Sequence, residues 1–154
     1  MANDMLRIEL VKSCPDSLSR MANPSLEVIQ AAIDADGNAI RHVSTLWLGK
    51  QAGKSGWGLE QARQAELEML RLAAVRRNGF AVRHIDKPSL QVRLAAVQQE
   101  PMALEFIRSK PRAVVLEAVR RDPRSVRFLR TVPDWARRLI ESSTGNWVEF
   151  YLAA

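Results

Sequence analysis

The feature that most constrains this chain is a repeat of about 22 residues. Leu72-Ala-Ala-Val75, Leu94-Ala-Ala-Val97 and Leu116-Glu-Ala-Val119 share one register. The last apolar slot of that motif recurs at intervals of 22, 42, 22, 22 and 21 residues, at Val11, Ile33, Val75, Val97, Val119 and Ile140. Because a fixed period is typical of stacked repeat architectures, the spacing predicts an all-α solenoid of about six to seven short helix-pair repeats, with one unit in the middle degenerate or replaced.

Helix-starting residues occupy fixed positions in each unit. Four residues after each slot except the last comes Pro15, Gly37, Gly79, Pro101 or Pro123, and Gly145 follows Ile140 by five. Proline fits the first helical position, because that amide has no intrahelical partner. Residues that can cap a helix precede several of these starts: Asp36, Asn78, Asp122 and Thr144. Cys14 takes the place of such a cap before Pro15.

A second set of starts precedes the longer helices, at Pro24, Pro88, Pro111 and Pro133. One unit is therefore expected to contain a helix of about ten residues, a tight break and a helix of about seven. Isolated helices this short are marginal in water, so they must stack. The inward stripes of one unit are predicted to be Val92, Ala95, Ala96, Val97, Ala103, Leu104 and Ile107.

The sequence of one unit resembles a known repeat. The segment from Lys87 to Ile107 resembles the short two-helix repeats of bacterial, phage and giant-virus proteins, with the pattern NPSxxVxLAAVxxNGxAIxxI, and residues 23–43 and 70–85 resemble it too. More distantly, the units are similar to HEAT-like and leucine-rich-repeat-variant repeats, which bind proteins and sometimes nucleic acid. The resemblance to the short repeats implies the fold alone, and the more distant similarity to HEAT-like repeats implies a binding role by analogy.

Size and apolar content bound the organisation. A chain of 154 residues, 47% of them hydrophobic, is expected to form one domain over residues 1–154. No apolar run approaches the roughly 18 residues of a membrane span, so no membrane contact is expected. With a single cysteine and no secretory pattern at its start, the chain is expected in the cytoplasm, of a bacterium or of a host cell if a phage encodes it.

Residues 44–64 depart from the repeat. Four of the seven glycines and two of the four tryptophans lie between Trp47 and Gly58. Insertions in solenoids are often binding loops, so Lys50, Lys54 and Trp57 are candidate partner contacts. The structural alternative is that Trp47 and Trp57 fill the gap left by a lost unit. After the insertion, one long helix is expected over residues 59–77, with its inward residues at Ala62, Leu70, Ala73 and Ala74.

The residues that could carry chemistry have structural explanations. The run from Gly49 to Ser55 approaches a phosphate-binding loop, but it has three residues between its glycines where the motif needs four. The slot of His42 and His84 is taken in other units by Phe106, Phe128 and Phe150, which predicts a packing position. Cys14 has no partner base placed by the sequence. We therefore expect no catalytic residue, no metal site, no cofactor, no small-molecule substrate and no enzymatic activity.

Charge is concentrated in the later units. From Arg71 to Arg138 there are 16 Lys/Arg against 6 Asp/Glu, a net charge of +10, whereas the rest of the chain carries −4. Arginine supplies 18 of the 23 basic residues, and its planar fork suits carboxylate and phosphate. Arginine pairs recur where the longer helices are expected to end. Because equivalent positions of stacked repeats line up, these arginines are predicted to form a basic ridge. Its candidate partner-binding residues are Arg76, Arg77, Arg120, Arg121, Arg124, Arg127 and Arg138.

These observations favour a non-enzymatic interaction module whose arginine-rich face holds an acidic protein surface or complex. The alternative is a nucleic-acid-binding repeat protein that uses the same ridge on DNA or RNA, with binding that falls steeply as salt rises. By analogy with the proteins that carry such repeats, the acidic partner could be a host defence complex that a phage or mobile-element protein inhibits. A structural role for the arginines is a further interpretation, because cations favour helix C-termini.

Overall fold

The computed structural model describes residues 2–43 and 57–144, with side chains placed over residues 4–43 and 61–142. Helices are numbered over these residues. The α-helices are α1 (Ala2–Ser13), α2 (Leu26–Ala35), α3 (Trp57–Arg77), α4 (Leu90–Gln99), α5 (Arg112–Arg121) and α6 (Asp134–Thr144). Between them lie the 3₁₀ helices η1 (Pro15–Arg20), η2 (Gly37–His42), η3 (Gly79–His84), η4 (Pro101–Phe106) and η5 (Pro123–Phe128). The described residues contain no strand, which confirms the all-α fold class.

The helix starts follow the predicted positions. Each 3₁₀ helix begins at the proline or glycine that the repeat singled out, and it has six residues rather than about seven. The longer helices begin differently from the expectation. Pro88 lies two residues before α4, and the intervening Ser89 caps that helix by accepting a hydrogen bond from the Val92 amide at 3.1 Å. Pro111 instead occupies the cap position of α5 itself.

The units stack in chain order. Each α-helix packs against the next one, from α1 to α6, and each 3₁₀ helix packs against the next, from η1 to η5. All the more extensive contacts join elements of the same unit or of neighbouring units, as a solenoid requires. The six slots that defined the repeat are at most 2% exposed, at Val11, Ile33, Val75, Val97, Val119 and Ile140.

The stack continues across the irregular region. The helices α2 and α3 pack directly against each other, and so do η2 and η3. The prediction of a degenerate or replaced unit between them is therefore wrong. The alternative role of Trp47 and Trp57 in filling a gap falls on side chains outside the described ones. The additional residues fall in the segment 44–56, outside the described residues, and in the first half of the 21-residue α3. Leu70 and Ala74 are buried as predicted, whereas Ala62 is exposed because it lies in the half of α3 that extends beyond the repeat.

No helix in the described part of the chain is both long enough and apolar enough to cross a bilayer.

Candidate binding surface

The turns that follow the α-helices form one edge of the stack, which we call the capping edge. In four of them a side chain accepts a hydrogen bond from a backbone amide of the following 3₁₀ helix. The pairs are Asp36 with Asn38, Asn78 with Phe80, Glu100 with Met102, and Asp122 with Arg124. These bonds satisfy amides that have no intrahelical partner. The caps at Asp36, Asn78 and Asp122 were predicted, and the Glu100 cap was missed because glutamate is a less usual cap residue.

Neighbouring units approach closely at this edge. A Cβ built on Gly79 would lie 2.6 Å from the carbonyl oxygen of Ala96, and one built on Gly37 would overlap the carbonyl oxygen of Ala74. The Gly79 amide donates to the side-chain Oε1 of Gln99 at 2.6 Å, across the boundary between two units. Gln99 occupies the slot that holds Arg77 and Arg121 in adjacent units, so this interruption of the arginine pattern has a structural role.

The predicted arginines divide into two groups. Arg121 pairs with Glu117 at 3.0 Å, Arg124 pairs with Asp122 at 2.9 Å, and the Arg127 guanidinium lies 4.8 Å from the centre of the Phe128 ring. The others are exposed and form no ion pair within residues 4–43 and 61–142: Arg76, Arg77, Arg120 and Arg138. Arg76 and Arg77 end α3 whereas Arg120 and Arg121 end α5, so α4 with its glutamines separates the two pairs.

The charge pattern of the capping edge is mixed. Arg77 lines a hollow of about 390 Å³ together with Asp36 and Glu100. The hydrogen bond from Arg124 is the main reason that the pKa of Asp122 lies below its usual value, so this cap is a carboxylate at neutral pH. The predicted ridge is therefore two arginine pairs, separated by α4 and interleaved with acidic caps. The prediction that Arg138 belongs to it is wrong, because Arg138 lies in the middle of α6 rather than at a helix end.

The predicted contacts in the irregular region lie outside the described part. Lys50 and Lys54 fall in the undescribed segment. Trp57 is the first residue of α3, but its side chain is not among those described.

The two histidines occupy equivalent positions, as the repeat predicted. His42 and His84 end η2 and η3, where Phe106 and Phe128 end η4 and η5. Burial is the main cause that lowers the pKa of His84, which favours its neutral form. His42 also has a polar contact, with its Nε2 lying 3.4 Å from Oδ1 of Asp16.

Neither the histidines nor the cysteine lies in a reactive cluster. Among the described side chains, no three histidine, cysteine or acidic residues are grouped so that they could hold a metal ion. Cys14 is exposed and occupies the N-cap position of η1 as predicted, but its side chain makes no capping hydrogen bond. Thiols are weak acceptors, which accounts for the missing bond.

The opposite ends of the α-helices carry a second basic surface, which sequence reasoning missed. The ten residues of α4 span about 15 Å, so the turns before it and after it are separated by that distance. The turns that follow η3 and η4 enclose a groove of about 630 Å³. We call this surface the groove edge. Its charged lining residues are Arg83, Asp86, Lys87, Arg93 and Arg108.

Apolar side chains form the base of the groove, and one of its cations is held by the backbone. Val82, Ile85 and Ile107 are 1 to 7% exposed, whereas Phe106 is 37% exposed. Arg93 is held by two backbone carbonyls, because its Nε donates to Ser89 at 3.2 Å and its Nη1 to Ser109 at 3.0 Å. No carboxylate among the described residues pairs with any of the four groove cations, Arg83, Lys87, Arg93 and Arg108.

The backbone at Lys87 is unusual. Its φ of 47° lies in the left-handed region, as does the φ of 48° at Asn23, the equivalent residue of an earlier unit. Asparagine tolerates this conformation better than lysine does. The groove was hard to predict because its cations occupy different slots of two units. The one signal in the sequence was a lysine, Lys87, at the turn position that holds Asn23 in an earlier unit.

Comparisons with known proteins give no relative from which the role of either surface could be inferred. No protein-family model, no curated protein and no solved structure matches this chain. The two basic edges, one interleaved with acidic caps and one enclosing a groove, are thus the features from which a function is argued.

Proposed function

We propose that this protein is a non-enzymatic interaction module that binds an acidic protein partner through the basic surface of its later units. The observation that carries the proposal is the net charge of +10 between Arg71 and Arg138, with exposed arginines that no described carboxylate neutralises. Exposed arginine is available for bidentate pairing with carboxylates of a partner. The proposal includes membership in the 22-residue repeat family and a cytoplasmic location.

The charge pattern favours a protein over a nucleic acid. On the capping edge, acidic caps such as Asp36, Glu100 and Asp122 alternate with the arginines. A phosphate backbone is uniformly negative and would be repelled by each of these carboxylates. A protein surface can place acidic and basic groups in a complementary order, which gives specificity as well as affinity.

The experiment compares two double variants of equal charge. Arg76→Gln with Arg120→Gln removes two unpaired cations from the capping edge, and Lys12→Gln with Arg20→Gln removes two exposed cations from the first unit. A partner is captured by cross-linking and mass spectrometry, then purified and titrated against the protein at low and physiological ionic strength. We expect the first double variant to weaken binding about tenfold and the second to change it less than twofold.

Two results would contradict the proposal. One is a partner that binds both double variants as tightly as it binds the unmodified chain. The other is tight, salt-sensitive binding of random duplex or single-stranded oligonucleotides that the Arg76→Gln and Arg120→Gln changes abolish, because that would assign the same surface to nucleic acid.

A further inference from the structure

The groove edge is a bounded site rather than part of a continuous basic track. The slot of Arg93 also holds a cation in the preceding unit, Arg71, but it holds Val115 in the following unit and Ile29 in α2. Arg71 lines a second hollow, of about 300 Å³, which shares His84 to Lys87 with the groove. The cations therefore extend over about two unit spacings, and beyond them only the slot of Arg108 keeps its charge, as Arg130.

A bounded site of this kind is too short for a nucleic-acid strand. Proteins that hold single strands without sequence preference use a basic groove that follows the backbone over several nucleotides. Here the next slot along from Lys87 is Ser109, and the next along from Arg83 is Glu105. A strand that left the groove in that direction would meet a neutral residue and an acidic one in these two slots, with Arg130 as the remaining cation in the slot of Arg108.

The size and lining of the groove fit an extended peptide. Packed helices lie about 8–10 Å apart, so two unit spacings measure roughly 20 Å, the length of about six extended residues. The exposed ring of Phe106 and the apolar base offer a place for one apolar side chain, and the surrounding cations offer partners for carboxylates. Because two carbonyls already hold Arg93, its guanidinium loses little freedom when it binds.

We propose that the groove edge is a peptide-binding site for an extended acidic segment of about six residues with one apolar or aromatic side chain between its carboxylates. This inference rests on the proposed function, since it names the kind of partner segment that the module holds. Arg83, Lys87, Arg93 and Arg108 bind the carboxylates, and the apolar side chain packs on Phe106.

Lys87 and Arg108 provide the sharpest variants. Lys87→Asn installs the residue that the equivalent turn has at Asn23, so it removes a charge while it relieves the left-handed backbone. Arg108→Gln removes a charge from an exposed position, and its matched control is Arg130→Gln, because Arg130 occupies the same slot one unit later and is not part of the groove lining.

The probe is a fluorescein-labelled peptide of sequence Glu-Asp-Phe-Glu-Asp-Glu, titrated with the full chain by fluorescence anisotropy. We expect salt-sensitive binding of this peptide. Arg108→Gln and Lys87→Asn should each weaken it about tenfold, and Arg130→Gln should leave it unchanged. A control peptide with Gln and Asn in place of Glu and Asp should not bind. Replacing the central Phe by Ser should weaken binding several-fold, since the apolar contact is then lost.

Several outcomes would overturn the inference and leave the proposed function intact. These are the absence of peptide binding, or peptide binding that neither Arg108→Gln nor Lys87→Asn weakens, while the natural partner still depends on Arg76 and Arg120. A single-stranded oligonucleotide could also bind more tightly than the peptide and lose its binding in the same two variants. That result would assign the groove to nucleic acid instead. Loss of the natural partner's dependence on Arg76 and Arg120 would contradict the proposed function separately.

Discussion

The two edges of this stack use charge for different purposes. On the capping edge, the Asp122 carboxylate accepts from both the backbone amide and the guanidinium of Arg124, and Gln99 accepts from the Gly79 amide of the preceding unit. On the groove edge, Lys87 and Arg108 form no ion pair within the described residues. The difference teaches that the capping edge combines polar groups that maintain the turns with unpaired arginines such as Arg76 and Arg120, whereas Lys87 and Arg108 on the groove edge have no such structural role.

The largest effect on stability is expected at Gly79. In a helix without crowding, Gly→Ala stabilises by about 0.4–1 kcal/mol. Here the new methyl group would meet the backbone of Ala96, so Gly79→Ala should destabilise the protein by about 1–3 kcal/mol. Urea unfolding followed by circular dichroism measures the change.

The control for Gly79→Ala is Glu105→Ala, an exposed position on η4 that should change the free energy of unfolding by less than about 0.5 kcal/mol. A stabilised Gly79→Ala variant would show that the units do not approach closely at the capping edge.

A smaller effect is expected at Asp122. Removing this cap with Asp122→Ala should cost about 1 kcal/mol at neutral pH, and Asp122→Asn should cost less because the amide oxygen still accepts from the Arg124 amide. The hydrogen bond from Arg124 holds the pKa of Asp122 below its usual 3.8. Stability from this carboxylate is therefore present above 3.8 and is lost as the pH falls through the lowered pKa.

The pH dependence and a reverse substitution check the Asp122 prediction. Unfolding free energies measured in urea at neutral pH and in acid should converge for the unmodified chain and Asp122→Asn as the pH falls. Conversely, Cys14→Asp should gain about 0.5–1 kcal/mol, because it supplies the cap that the first unit lacks. A loss of stability in Cys14→Asp would mean that the first turn differs from the other four.

The smallest effect is expected on the groove edge. Arg108→Gln should change the free energy of unfolding by less than about 0.5 kcal/mol, because no partner within the described residues depends on that charge. Thermal unfolding of the Arg108→Gln and Arg130→Gln variants side by side measures it. A loss of more than about 1 kcal/mol in Arg108→Gln alone would erase the distinction between the two edges.

Much of the fold could be predicted from the sequence because the interactions that specify it are local or periodic. The slots at Val75, Val97 and Val119 mark the core, since an apolar residue every 22 positions returns to the same face of each unit. Helix starts at Pro101 and Pro123 follow from the fixed φ of proline. These features depend on residues within about one unit of chain.

The tertiary structure alone decided which units are in contact and which cations share a groove. The direct contact of α2 with α3 could not be predicted from an interval of 42 residues, because that interval equals two shorter units and a spacing along the chain does not say which units are in contact. The groove unites Lys87 and Arg108 from non-equivalent slots, so no repeat pattern marks it. The pairs of Arg121 with Glu117 and of Arg124 with Asp122 are local, whereas the bond from the Gly79 amide to Gln99 joins two units and exists only once they have stacked.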